Sequence, residues 1–428
     1  MKSFLSAWTQ RIQQWRHNEV LRNALWLYLV TFGGYLLPLI TLPYLSRVLN
    51  VANFGLVAYA QSLVWNCITV VEYGFNLTAT REVAFHRNNP AQLGRIASAV
   101  FAAKALLAVA AFAVYAVVIL RLDSTRAHWP LFLIAFLSVP GYCLFPLWLY
   151  QGLSLMKMVA IRDFFAKLLS LVSLFLLVRG DNDVFWAAAA PAAGLLFAGL
   201  AGFAAIPRLT GVSLGWPSWL DVRAQLVQGW PPFLNMGASA AAHSLSVLLL
   251  GSRGLNAEIG WFNAALRLAS VPRQLIQPLS TALFAHLSHE TRGKETIARA
   301  FVERHGRLLT LPFLALSGLL IVLAPWLLPL ALGPNFDRAV IPFQILSFGV
   351  FVFAVSHLYT TYYMLPCGFE RTMTRLALLT QPVVLALLFL YLYFLPGEIV
   401  LALNVLTIDS LATLAYARFY YRRKGALA

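Results

Sequence analysis

Residues 97–120 read ASAVFAAKALLAVAAFAVYAVVIL, a run of 24 residues whose single charged side chain is Lys104. A helix of about 20 apolar residues is long enough to cross the roughly 30 Å hydrocarbon core of a bilayer. Similar runs recur along the 428 residues, of which 60% are hydrophobic and 11% are charged, and the mean hydropathy is +0.73. This composition excludes a soluble globular domain and predicts an all-α integral membrane protein.

The hydropathy of the chain predicts twelve membrane spans. Their approximate ranges are 24–47, 54–78, 97–120, 130–152, 164–179, 184–206, 229–251, 259–287, 308–332, 339–366, 376–395 and 399–418. The longest polar connection, 207–228, separates an N-lobe (24–206) from a C-lobe (229–418). Residues 1–23 are predicted to be an amphipathic segment at the cytoplasmic membrane surface, and 419–428 form a basic cytoplasmic tail.

Lysine and arginine are unequally divided between the two predicted sides of the membrane. With the N-terminus inside, 23 of the 32 basic residues lie on the cytoplasmic side, six lie in outward loops and three lie within spans. The positive-inside rule therefore predicts cytoplasmic N- and C-termini. The basic face is expected to attract anionic membrane lipids. Loops this short form no groove-reading module, so no nucleic-acid partner is expected.

A short internal repeat relates the two lobes. The sequence SRVLN at 46–50 is followed by Gly55, and SRGLN at 252–256 is followed by Gly260. Each copy follows the first span of its lobe, and both copies face the same side of the membrane. The lobes are therefore predicted to be parallel repeats of six helices each.

Three cations lie well inside long apolar runs: Lys104, Arg267 and Arg273. Ionisable groups at this depth are expected to line a ligand site or a water-filled path rather than to face lipid. We predict that they line a cavity for an anionic cargo. For Lys104 and Arg267 the alternative is a side chain that extends to the membrane surface.

Three further arginines are candidate gate residues. Arg47 and Arg253 occupy equivalent positions in the internal repeat, and Arg81 lies near the inner end of the second span. The alternative interpretations are interfacial anchors for Arg47 and Arg253 and a topology determinant for Arg81.

His243, Glu72 and Asp409 are candidates for coupling transport to protons, sodium or the membrane potential. Each has a structural alternative: a packed histidine, a Glu72–Lys104 ion pair, and a polar contact of Asp409 with another helix. The three cysteines are dispersed, so neither a metal site nor a cofactor is expected.

Three motifs resemble those of the Wzx-type O-antigen flippases, which belong to the multidrug/oligosaccharidyl-lipid/polysaccharide transporter superfamily. They are PYLSRVLN at 43–50, EYGF at 72–75 followed by ATRE at 79–82, and WLYQG at 148–152. The chain departs from the family pattern at Asn50, where glycine is frequent, and after Gly152, where an acidic residue is frequent.

The resemblance implies a V-shaped transporter of two six-helix lobes in the bacterial inner membrane. Its expected cargo is an undecaprenyl-diphosphate-linked sugar repeat unit, moved from the cytoplasmic to the periplasmic leaflet through a cationic central cavity. A polysaccharide polymerase and a chain-length regulator are the protein partners that such a flippase is expected to have.

Two other functions are weighed against a flippase. A drug or cation antiporter of the same superfamily needs a net acidic cavity, whereas three basic and three acidic residues lie in the predicted spans. A membrane enzyme of polysaccharide assembly needs a sizeable loop with paired carboxylates or a metal motif, and the sequence contains neither. The sequence therefore predicts a transporter rather than an enzyme.

Overall fold

The computed structural model describes residue 33, residues 37–291 and residues 295–426. For residues 235–243, 275, 277–291 and 424–426 it describes the backbone alone. The described part of the chain is helical nearly throughout and contains no β-strand. The predicted amphipathic segment 1–23 lies outside the described residues.

Twelve helical segments, labelled α1 to α12, contain most of the described residues, and short helices and loops connect them. Their bounds are 37–48 (α1), Val51–Phe85 (α2), Pro90–Arg121 (α3), Trp129–Gly152 (α4), Met156–Leu177 (α5), Val184–Ala204 (α6), Trp219–Ser252 (α7), Asn256–Thr291 (α8), Glu295–Leu332 (α9), Val340–Tyr359 (α10), Glu370–Phe394 (α11) and Gly397–Ala426 (α12). Within the described ranges, eight segments are apolar and long enough to cross a membrane. The chain is therefore a multi-pass membrane protein, and the count of twelve spans stays a prediction.

Side-chain caps fix where several of these helices begin. Asn50 accepts a hydrogen bond from the Asn53 N–H at the start of α2, and Asn89 caps α3, whose first residue is Pro90. Ser218 caps α7 by accepting from the Asp221 N–H. These residues satisfy N–H groups that a helix start leaves without intrahelical partners. Helix α7 thus begins inside the segment 207–228 assigned to the linker.

A break divides α2 near its end, within the EYGF motif. Tyr73 and Gly74 have φ angles of 49° and 100°, in the left-handed region where glycine is favoured. A Cβ on Gly74 would lie 2.8 Å from Pro232 Cγ and 3.0 Å from the Gly229 carbonyl oxygen. The motif therefore marks the place where α7 of the C-lobe packs against α2 of the N-lobe.

The two copies of the internal repeat meet at the opposite end of the bundle. We call the end that carries the connection between the lobes the linker side, and the other end the short-loop side. A Cβ on Gly55 would lie 1.6 Å from the Asn256 carbonyl oxygen, and one on Gly260 would lie 2.6 Å from the Val51 carbonyl oxygen. Helices α2 and α8 thus cross with their backbones in contact on the short-loop side.

Buried apolar side chains connect these elements into three clusters. The largest contains residues of both lobes, among them Phe54, Phe262 and Phe343. A second, with Trp148, lies at the linker side of the N-lobe, and a third, with Tyr363, lies at the linker side of the C-lobe. The lobes therefore share one apolar core toward the short-loop side.

Candidate functional site

A cavity lies inside the N-lobe, between α1, α2, α4, α5 and α6. It consists of two adjoining chambers of about 280 and 210 Å³. The larger has Arg267 in its wall and the smaller has Lys167, so we call them the Arg267 chamber and the Lys167 chamber. The residues common to both walls are Pro38, Thr41, Tyr142, Ser170, Pro191 and Leu195. These shared walls make the two chambers parts of one central cavity.

Arg267 reaches the central cavity from α8 of the C-lobe. Its Nη2 donates to Gln61 Oε1 at 2.5 Å, and its Nε donates to Asn263 Oδ1 at 2.8 Å. Both partners are neutral amides. Among the side chains that the structure describes, no carboxylate oxygen lies within 4.0 Å of the Arg267 guanidinium. Arg267 therefore keeps its net positive charge in the cavity wall.

Lys104 is fully buried and pairs with a carboxylate. Its Nζ lies 2.8 Å from Glu72 Oε1 and donates to the Tyr142 carbonyl oxygen at 3.5 Å. The second Glu72 oxygen accepts a hydrogen bond from Asn76 Nδ2. This is the pairing that the sequence offered as the alternative to a cargo site. In this conformation Lys104 lines neither chamber.

Arg273 also has a carboxylate partner, within the C-lobe. Its Nη1 lies 3.0 Å from Asp409 Oδ2 on α12, and its guanidinium carbon is 5.5 Å from the centre of the Phe353 ring. Gly349 makes room for it, because a Cβ there would lie 2.4 Å from Arg273 Nη2. Arg273 and Asp409 thus form a pair of no net charge outside both chambers.

The three candidate gate arginines lie apart from one another. Arg47 donates from Nη2 to the Leu330 carbonyl oxygen at 2.8 Å, which joins α1 to α9 across the lobes on the short-loop side. Arg253 is exposed at the end of α7, and the Arg81 guanidinium lies 5.6 Å from the Phe85 ring centre on the same helix. His243 lies on α7 among the residues described by backbone alone.

Side chains of α7 join the lobes on the linker side. The Arg95 guanidinium binds both Asp221 oxygens at 2.7 Å, and Gln225 Nε2 donates to Glu82 Oε2 at 2.6 Å. Hydrogen bonds from Arg95 and with Ser218 hold the pKa of the Asp221 carboxyl below its usual range. These contacts were not predicted from the sequence, because nothing in its pattern pairs residues more than 120 positions apart.

Lys167 is a charged cavity residue that the sequence reasoning missed, because it was counted among the basic residues of the cytoplasmic side. It lines the smaller chamber with Asp163, whose Oδ2 lies 2.7 Å from its Nζ. A signal was present in the sequence, because Lys167 lies inside the predicted span 164–179. In the structure it follows the start of α5 at Met156 by eleven residues, which is about 16 Å along a helix.

Residues 20–289 match the model of the family described as "Polysaccharide biosynthesis protein". The chain belongs to this family. It is 27% identical over 403 residues to the "Putative O-antigen transporter" of Escherichia coli (strain K12), covering 94% of this chain and 97% of that one. A protein of the same description from Shigella dysenteriae is 27% identical over 373 residues, covering 87% and 93%. The resemblance carried by the three sequence motifs is confirmed, and these relatives are described as transporters rather than enzymes.

Solved structures confirm the fold class. A multidrug resistance MATE family transporter of the MOP superfamily, in an inward-facing conformation, aligns with a TM-score of 0.68 and 13% identity over 91% of this chain and 98% of that one. The lipid II flippase MurJ, in an inward closed conformation, aligns with a TM-score of 0.67 and 12% identity over 91% and 87%. At these identities the likeness shows that the chain has the fold of these membrane transporters.

Proposed function

We propose that this protein is a flippase for an undecaprenyl-diphosphate-linked oligosaccharide, an O-antigen repeat unit or a related polysaccharide unit. The observation that carries the proposal is Arg267, a cation with only neutral amide partners among the described side chains, in the wall of a membrane-embedded cavity. The family match and the two O-antigen transporter relatives support it.

Arg267 is suited to the diphosphate of such a cargo. A guanidinium binds phosphate oxygens through two parallel N–H groups, and such charge-assisted hydrogen bonds are stronger than those between neutral groups. Gln61 and Asn263 orient the guanidinium without neutralising it. The sugars then occupy the central cavity, while the apolar polyprenyl chain remains in the bilayer and stays out of contact with water.

The contacts between the lobes fit alternating access by rocking of the lobes. On the short-loop side the lobes meet at Gly55 and Gly260 and through Arg47, and on the linker side they meet through Asp221 and Gln225. In the proposed cycle the linker-side contacts open to admit cargo from the cytoplasmic leaflet. The short-loop contacts then open to release it to the periplasmic leaflet.

A cation antiporter needs a carboxylate free to bind its cargo. In the described structure Glu72 is paired with Lys104, Asp409 with Arg273, and Asp163 with Lys167. The carboxylates that the sequence placed in the membrane thus have cationic partners. Arg267, in contrast, has no negatively charged partner among the described side chains. This difference favours an anionic cargo over a cationic one.

Location, orientation, coupling and partners are part of the same proposal. The linker side faces the cytoplasm of the bacterial inner membrane, as the excess of basic residues there predicts. Glu72, His243 and Asp409 remain the candidates for coupling to protons, sodium or the membrane potential, and Asp409 is paired with Arg273. A polysaccharide polymerase and a chain-length regulator are the proposed partners after translocation.

The test is the sided accessibility of the lipid-linked repeat unit in cells that lack this protein. A sugar-modifying enzyme is applied from the periplasmic face, with and without the restored wild-type protein. We expect the labelled unit to be made but to stay inaccessible until the protein is restored. A unit that reaches the outer leaflet without the protein, yet remains unpolymerised, contradicts the flippase and favours the membrane enzyme.

A further inference from the structure

The Lys167 chamber contains an ion pair on the middle turns of α5. Lys167 and Asp163 lie one turn apart on this helix, and their side chains are 32% and 45% exposed, so both reach open space. Lys167 lies about 16 Å from the start of α5, near the middle of this 22-residue helix and inside the predicted span 164–179. Ionisable groups within a membrane span are costly and mark functional sites.

The two chambers offer different polar groups. Arg267 has two neutral amide partners and presents a cation to its chamber. In the Lys167 chamber, the Asp163 carboxylate pairs with Lys167 at 2.7 Å and also lies 3.9 Å from the Arg162 guanidinium. A guanidinium without a carboxylate partner suits a phosphate. Ammonium donors beside carboxylate acceptors suit a ligand that carries both donors and acceptors, and sugar hydroxyls are such groups.

The walls that join the chambers add aromatic faces and hydroxyl groups. Trp65 is 57% exposed although it lines the Arg267 chamber, and its ring stands perpendicular to the Tyr142 ring at 6.0 Å. The guanidinium carbon of Arg162 lies 5.0 Å from the centre of the same Tyr142 ring and so helps to hold this residue of the shared wall in place. Ser170, one turn beyond Lys167, lines both chambers. Aromatic walls with a few convergent polar groups are typical of sites that orient a small ligand.

We propose that the Lys167 chamber is a sugar subsite, in which Lys167 and Asp163 bind hydroxyl groups of the glycan while Arg267 binds the diphosphate. The inference rests on the proposed function. Sugars beyond the first one reach the Lys167 chamber past Tyr142 and Ser170, so α5 selects which repeat unit is moved. Neither side chain performs chemistry on the cargo, and both act by binding it.

The test compares two cargoes with purified protein in liposomes. One is the host's complete repeat unit on its diphosphate carrier, and the other is the same carrier with a single sugar. The variants are Lys167→Gln, Asp163→Asn and the exchange K167D/D163K, which keeps an ion pair at the same spacing and so preserves a merely structural role. Lys157→Gln, an exposed lysine on the same helix, is the matched control.

We expect the three variants to move the complete unit about tenfold more slowly, because each loses hydrogen bonds to hydroxyl groups, and to move the single-sugar cargo at the wild-type rate. Lys157→Gln is expected to match the wild type with both cargoes. Thermal unfolding of the exchange variant at the wild-type temperature shows that a loss of transport is not a loss of folding.

Two outcomes overturn the sugar subsite while the flippase stands. In the first, the ratio of the two transport rates is unchanged in all three variants. In the second, a stable exchange variant loses transport of both cargoes equally. In both, the wild-type protein transports the cargoes and this transport depends on Arg267. If the wild-type protein moves neither cargo, or if Arg267→Gln moves both as fast as the wild type, the proposed function itself fails.

Discussion

At the scale of single residues, the three cations that the sequence placed in the membrane differ in the partners that the described structure gives them. Lys104 and Arg273 each have a carboxylate partner at 2.8 and 3.0 Å, whereas Arg267 contacts amide oxygens. The sequence offered an ion pair with Glu72 as one alternative for Lys104, but it gave no partner for Arg273 or Arg267. That distinction depends on partners 32, 136 and 206 residues away, which periodicity within a helix does not reveal.

The buried Lys104–Glu72 pair is predicted to stabilise the N-lobe rather than to bind cargo. Lys104→Met leaves a carboxylate without its cation and is expected to lower the free energy of unfolding by about 3–5 kcal/mol. The double variant K104M/E72Q removes both charges and is expected to recover most of that loss, because Asn76 still has an acceptor. Thermal unfolding of the purified protein measures both effects. Equal stability of Lys104→Met and the wild type contradicts the pairing.

At the scale of elements, the internal repeat has a structural role. Its two glycines bring α2 and α8 into backbone contact, so each copy of the motif provides half of one helix crossing. The sequence predicted the repeat and its location on one side of the membrane. It did not predict that Gly55 and Gly260 meet, because hydropathy defines where a helix runs along the chain and not which helix lies beside it.

Gly55→Ala and Gly260→Ala are each expected to force α2 and α8 apart and to impair transport strongly. The new Cβ would lie 1.6 Å from the Asn256 carbonyl oxygen in the first variant and 2.6 Å from the Val51 carbonyl oxygen in the second. Complementation of a strain lacking the protein, with protein level checked, measures the effect. Gly318→Ala on α9, where a Cβ meets nothing within 4 Å, is the control and should transport normally. Full activity in Gly55→Ala would show that the crossing is not required.

Hydropathy predicted an all-α membrane protein, which the fold confirms, and the internal repeat predicted two parallel lobes. The candidate site was harder to predict. Lys167 was counted with the basic residues of the cytoplasmic side although it lies inside the predicted span 164–179, and in the structure α5 begins earlier, at Met156. Gln61 and Asn263 carry no charge, so no rule based on intramembrane charge selects them, and only the fold brings them to Arg267.

At the scale of the whole molecule, α7 makes contacts with both lobes. Its first turns bind the N-lobe through Asp221 and Gln225, and Phe233 stacks on Tyr73 with ring centres 4.8 Å apart. Near its end, Asn404 of α12 donates to Ser246 within the C-lobe. If the lobes rock, the contacts of α7 with the N-lobe must separate, because they cross the cytoplasmic entrance of the proposed pathway.

A crosslink between α3 and α7 is predicted to stop transport. Cysteines are placed at Arg95 and Asp221 in a variant without Cys67, Cys143 and Cys367, and they are joined by a short bismaleimide. We expect the joined protein to be inactive and each single-cysteine variant to keep its activity after the same treatment, because one thiol cannot tie the lobes together. Transport by the crosslinked protein at the rate of the untreated protein contradicts the opening of this side.

The Arg95–Asp221 pair also predicts a pH dependence. Because the folded protein lowers the pKa of the Asp221 carboxyl, the pair stabilises the fold above the unfolded pKa of about 3.9, and this contribution is lost as the pH falls through the folded value. The unfolding temperatures of the wild type and Asp221→Asn should therefore differ by a constant amount from pH 8 to pH 5 and converge below about pH 4. If the difference in unfolding temperature disappears between pH 7 and pH 5 instead, a group other than the Asp221 carboxyl is responsible for it.

The most direct test of the central claim is transport of a diphosphate-linked glycan by purified protein in liposomes, with Arg267 as the variable. Wild-type protein is compared with Arg267→Lys, Arg267→Gln and Arg267→Glu, and Arg121→Gln, an exposed arginine at the end of α3, is the control. We expect the rate to fall in the order Arg, Lys, Gln, Glu, with no transport in Arg267→Glu and normal transport in Arg121→Gln. Equal rates for the wild type and Arg267→Glu in stable protein would contradict a cavity in which Arg267 holds the phosphates.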